Sequence, residues 1–160
     1  MVDSLLTPKM VGQLLDPDEP VMVCEAIKKL KAFGGKDSKQ RVYVMTFERI
    51  YTFKDETRSR LYLIKDVGAV IESNENDTDF MLFFERSDDL HVSSANRQDM
   101  LNMLKLRFNN INRNITLRHF AVTNKMLIDL HRNNNEKNKI AGIYDLPEDS
   151  YRLLDLEIKG

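Results

Sequence analysis

Through most of the N-terminal two thirds of the chain, short apolar runs recur between polar and turn segments, the pattern of strands. Val21 and Val23, followed by Ile27, read as a strand reaching about Leu30. Arg41-Val42-Tyr43-Val44-Met45-Thr46 is β-branched and aromatic and predicts a second. Ile50–Phe53, Leu61–Ile64, Ala69–Ile71, Phe80–Phe84 and Leu90–Ser93 continue the series. Turn residues at 33–38 and 87–89 and polar stretches at 54–59 and 72–79 separate them. Seven short strands with turns every eight to twelve residues predict a β-sandwich or barrel.

The period then becomes helical. Leu101, Leu104, Phe108 and Ile111 recur at helical spacing after Asn96, a good N-cap, with Asp99 near the positive helix end. This predicts an amphipathic helix to about Asn112, suited to plug the open end of a seven-stranded barrel. Ahead of the strands, Thr7 as N-cap and Pro8 at the first position predict a short helix with Met10, Val11, Leu14 and Leu15 on one face, stopped by Asp16-Pro17. Behind the long helix, Ile115 to Val122 reads as extended, and Asn124 as the cap of a short helix carrying Met126, Leu127 and Leu130. The stretch 131–139, HRNNNEKNK, is too polar to pack and predicts a mobile Asn-rich loop. Beyond it, Ile143, Tyr144, Leu146, Leu153 and Leu154 are apolar anchors in an irregular tail. The predicted organisation is an N-terminal extension at 1–20, a β-domain with its helix at 21–112, and a C-terminal extension at 113–160.

Composition narrows the function classes. The 160 residues are 42% hydrophobic and 31% charged, a globular profile. Twenty-four Lys and Arg against 25 Asp and Glu exclude a globally basic nucleic-acid binder. The charge is segregated, however: residues 25–65 carry a net +6 and residues 66–100 a net −7, so the domain is electrically polarised, with one face suited to anions. A lone Cys24 excludes an internal disulfide framework. No apolar run is long enough to span a membrane, and the N-terminus lacks a signal-peptide pattern. The expectation is a cytoplasmic protein that meets membrane or cytoskeleton through its surface.

Catalytic readings fail one by one, and neither a cofactor nor a metal is expected. Gly34-Gly35-Lys36-Asp37 lacks the first Gly and the Ser/Thr of a phosphate loop. His91, His119 and His131 have no ligand or triad spacing and read as structural or surface residues. Cys24 reads as a small core residue. Asp77 and Asp79 lack the rest of a calcium loop. Tyr43, Tyr51 and Tyr62 read as barrel residues rather than base-stacking platforms, so nucleic acid is not an expected partner.

Several segments carry a resemblance. Asp18-Glu19-Pro20-Val21, Lys28-Lys29, Gln40 to Thr46, Ile50-Tyr51, Ser59-Arg60-Leu61, Ile64-Lys65-Asp66-Val67, Asp79-Phe80 and His91 to Ser94 resemble the pleckstrin-homology-like superfamily. In pattern they are closest to the tail-homology domain of class I myosins. The likeness covers about 90 of the 160 residues, from Asp18 to Phe108. It implies a mainly β fold with α: a seven-stranded open barrel or sandwich capped by a C-terminal amphipathic helix. The chain departs from the family pattern in having no Trp for its last helix, leaving Phe108 or a Leu to fill that space.

The resemblance also implies two functions. One is a non-catalytic docking module that binds another protein within a larger protein or assembly. The other is peripheral membrane targeting, with anionic phospholipid or phosphoinositide headgroups bound by the basic first hairpin. For the second, the hairpin supplies Lys29, Lys31, Lys39 and Arg41, with Arg58 and Arg60 extending the patch from the fourth strand. Alternation places Lys39 with Arg41, and Lys29 with Lys31, on common strand faces. Arg offers bidentate contact to phosphate.

Overall fold

The computed structural model describes residues 8–15, 18–30, 38–84 and 88–135. The predicted cap Thr7, the stop at Asp16-Pro17, the turn residues 33–37, Lys31, and the expectations for 136–160 lie outside the described residues. The chain forms α1 (Pro8–Leu14), β1 (Val23–Lys29), β2 (Lys39–Met45), β3 (Arg49–Lys54), β4 (Thr57–Leu63), β5 (Val67–Ser73), β6 (Asp79–Phe84), β7 (Leu90–Ser93), α2 (Arg97–Ile111), β8 (Arg118–Val122) and α3 (Asn124–Asn135). A 3-10 turn at Ile64–Asp66 leads from β4 into β5.

The eight strands make one open sheet in the order β4-β3-β2-β1-β7-β6-β5-β8. Every ladder is antiparallel except β5 with β8. β1 meets β2 along its whole length but meets β7 only at Lys28 and Lys29, so the sheet has two halves joined at a narrow seam.

Three apolar clusters account for the helices. On one face, Ile27, Tyr43, Met45, Ile50, Tyr62, Val70, Leu82 and Phe84 enclose Leu101, Leu104 and Phe108 of α2. Phe108, 2% exposed, is buried in this cluster together with Leu101 and Leu104. On the other face of the first half, Val42, Val44, Tyr51 and Phe53 pack on Val11 of α1. On the other face of the second half, Ala69, Ile71, Met81 and Phe83 pack with Phe120 and Val122 of β8 and Leu127 and Leu130 of α3.

Several expectations change in detail. In α1 the row Val11–Leu15 faces the sheet, while Met10 and Leu14, one helical row away, are exposed at 37% and 45%. The polar stretch 54–59 is no loop: Asp55, with a left-handed φ of 54°, turns the chain in two residues and β4 begins at Thr57. β4 is an edge strand whose first half is solvated, so it shows no apolar alternation. The expected loop at 131–139 is helical to Asn135 because His131 continues the stripe of Leu127 and Leu130 into the sheet. Asn96 stands at the N-cap of α2, but its side-chain amide donates to Glu25 Oε2 (2.8 Å) and its side chain accepts no helix N–H. Ile115 to Val122 yields β8, which adds an eighth strand to the predicted seven.

A buried polar cluster ties β8 and α2 to β5. His119 Nε2 stands 3.1 Å and Arg97 Nε 3.8 Å from Glu72 Oε2. Arg97 also donates to the carbonyls of Ser73, Asn76 and Asp79, fixing the β5–β6 turn. Burial pushes the Glu72 carboxyl up, but His119, Arg97 and Lys105 outweigh it and hold the group below the ordinary glutamate value.

Two predictions follow from this packing. Phe108→Ala lowers stability by about 3–5 kcal/mol, read as a shift of the urea midpoint at unchanged slope. A loss under about 1 kcal/mol would show that α2 does not plug the sheet. Because Glu72 binds its proton less tightly folded than unfolded, its contribution is present above about pH 4.5 and lost as the pH falls through its folded value. Glu72→Gln accordingly destabilises at pH 7 by about 3 kcal/mol and flattens the acid limb of stability against pH; an unchanged limb contradicts the assignment.

Candidate functional site

At the end of the sheet where β1 stops and β2 begins, the core-facing sides of β1, β2 and β4 run out of apolar residues. Ile27 points into the core, and Lys29, two residues on, shares its face. Tyr43 does the same on β2, preceded on that face by Arg41 and Lys39. The ladder sets Lys29 directly across from Lys39, and Ile27 across from Arg41. On β4, Arg60 lies across from Thr52, on the face of Ile50 and Tyr62. Four cations thus share one face. Lys29 is half-buried, and burial first, then Arg60, Arg41 and Lys39, push its ammonium below the ordinary lysine value; Asp88 opposes them. A cross-strand pair of like charges costs stability, so the fold holds this end under electrostatic strain.

Arg58 is separated from the group. The β3–β4 ladder shifts register between Thr52 and Phe53, leaving Ser59 as a bulge whose hydroxyl bonds Thr52 Oγ1 (2.8 Å). Arg60 therefore pairs with Thr52 and Arg58 with Phe53, on opposite faces. Arg58 lies over the Tyr51 ring at 5.8 Å, while Arg60 reaches Asp88 at 3.5 Å. Both partners in that ion pair are more than half exposed, so it is weak and screened by salt. Lys31 lies outside the described residues.

The opposite end of the domain carries a feature that the sequence did not announce. Glu19 accepts from Arg49 (2.6 Å), from the Tyr51 hydroxyl (2.7 and 2.9 Å) and from Thr46 (3.3 Å). This clamps the segment before β1 onto the β2–β3 turn. Burial, then the bond to Glu19, push the Tyr51 phenol up. Asp18, Glu19, Pro20, Thr46, Phe47, Glu48 and Arg49 line an open cleft of about 570 Å³. Phe47 is 45% exposed, with the Arg107 guanidinium 4.8 Å from its ring centre. Partners 27 to 32 residues apart leave no local motif, so sequence spacing could not reveal the clamp.

The remaining chemistry-bearing residues behave structurally. Cys24 is half-buried rather than core, and burial, with Glu25, pushes its thiol up, which disfavours the thiolate. All three histidines are buried. Among the described residues no group of three His, Cys, Asp or Glu side chains is placed to hold a metal. Among them, too, no helix is long and apolar enough to cross a membrane.

No family model matches the sequence, and no curated protein matches it significantly. Solved structures do match. The chain superposes on the DH/PH fragment of PDZRhoGEF, solved with human RhoA, with a TM-score of 0.50 at 7% identity, over 68% of this chain and 37% of that one. Against the PH domain of human oxysterol-binding protein-related protein 11 the TM-score is 0.48 at 11% identity, over 58% and 84%. Against the hSac2 domain of the human phosphoinositide phosphatase Sac2 it is 0.49 at 8%, over 71% and 83%. Likeness at such identity concerns the fold alone. Seven antiparallel strands folded over one C-terminal amphipathic helix, matched in this way, give the chain a pleckstrin-homology-like fold.

Proposed function

We propose that this chain is a binding module whose basic end, Lys29, Lys39, Arg41 and Arg60, takes phosphorylated headgroups at an anionic membrane surface. The observation that carries the reading is the like-charge pair Lys29–Lys39 in direct register, with Arg41 on the same face. A phosphate set among these groups relieves their mutual repulsion. Arg41 and Arg60 offer planar forks for its oxygens, and the lysines add point charge. Each basic residue near an anionic surface adds about 1 kcal/mol, and the attraction fades with salt. Arg58 faces the other side of the sheet and plays no part in this grip.

A second reading, docking of a partner protein, is favoured by the cleft at the opposite end, where Phe47 stands exposed at the rim. The two readings use different residues and are separable.

Co-sedimentation with phosphatidylcholine vesicles, with and without phosphatidylinositol bisphosphate, tests the first. The wild type binds the phosphoinositide vesicles at low salt, and Lys39→Glu/Arg41→Glu weakens binding at least about thirtyfold, from about 2 kcal/mol of lost attraction. Binding that is absent at low salt, or unchanged in the double variant, removes the headgroup reading. Phe47→Ala leaves vesicle binding unchanged.

A further inference from the structure

β7 and α3 bring together two imidazoles that stand 40 residues apart in sequence. His91 Nδ1 lies 3.2 Å from His131 Nδ1, with ring centres 5.1 Å apart and planes at 82°. Both side chains are buried. His91 lies across from Met81, on the face that α3 covers with Leu127 and Leu130. At this spacing one Nδ1 carries a proton and donates it to the lone pair of the other, a bond that exists only while the accepting ring is neutral. The other nitrogen of His91, Nε2, is buried with no hydrogen-bond partner among the described residues. A bare lone pair there is tolerable. An N–H with a full charge behind it is not.

The surroundings do not rescue a charge. Lys29 of β1 opposes one on His131, while Asp88, just ahead of β7, favours it. Asp79 of β6 favours a charge on His91, which His131 opposes. Asp129 precedes His131 on α3 by two positions, a spacing that turns it to the far side of the helix. Burial is the largest cause for both rings, and both are pushed down to about 4 from the ordinary 6.5.

We propose that the His91–His131 contact is an acid-operated latch: neutral, it holds the end of α3 on β7, and protonated, it lets α3 leave the sheet and uncovers Met81 and Phe83. Both rings bind protons less tightly in the closed latch than in a free chain. The latch is therefore at full strength above pH 6.5 and is lost as the pH falls from there through about 4. The device does not depend on whether the basic end binds lipid.

Hydrogen exchange of the full chain between pH 7 and 4.5, corrected for the intrinsic pH dependence of exchange, tests the proposal. Protection of the α3 amides falls at least tenfold relative to that of β5, and the double variant His91→Phe/His131→Phe, which keeps neither imidazole, abolishes the difference. Parallel behaviour of α3 and β5 in the wild type at every pH overturns the latch without recourse to any variant. So does a fall that persists in a folded variant.

Discussion

The sheet is apolar on both faces, and the rest of the molecule answers that constraint. Phe80 to Phe84 on β6, Ile50 to Phe53 on β3 and Val42 to Met45 on β2 are buried without interruption. A half-solvated antiparallel sheet would alternate instead. Each face therefore needs a cover: α2 on the side shared by both halves, α1 on the other side of β2–β3, and α3 with β8 on the other side of β5–β6. The two segments flanking the pleckstrin-homology-like core thus supply cover that the core lacks.

The same constraint says where binding chemistry is possible. With both faces sealed over β2, β3 and β6, charged side chains gather towards the strand ends and along the solvated edge strand β4. At one end Lys29, Lys39, Arg41 and Arg60 share a face with the core residues Ile27 and Tyr43. At the other, Glu19 spends its charge on Arg49 and Tyr51, fastening the segment that leads from α1 into β1. One end is thus internally satisfied, and the other gathers four cations on one face. The segregation of charge along the sequence becomes a polarity along the domain.

Much of this was legible in the residues, because burial writes itself as periodicity. β1 to β3, β5 to β7 and the second half of β4 follow from short apolar runs set between turn residues, α2 from the stripe of Leu101, Leu104 and Phe108, and the basic hairpin from Lys29, Lys39 and Arg41. What escaped has physical reasons. β4 begins inside a polar stretch because a solvated edge strand has no apolar face to display. α3 continues through His131 because a neutral buried imidazole packs like an apolar residue while reading as a polar one. The bulge at Ser59, which parts Arg58 from Arg60, is a matter of ladder register, which the residues of one strand do not display. The Glu19 clamp and the His91–His131 contact join residues far apart in sequence and leave no local trace.

Both faces of the sheet are covered, and the proposed anion site lies at one strand end. Titration of the isotopically labelled chain with a soluble inositol polyphosphate, followed by amide chemical shifts, tests both statements together. The predicted result is a set of shifts confined to the ends of β1, β2 and β4 around Lys29, Lys39, Arg41 and Arg60, suppressed by added salt. Shifts centred on α1 or α3, or none at low salt, would contradict it.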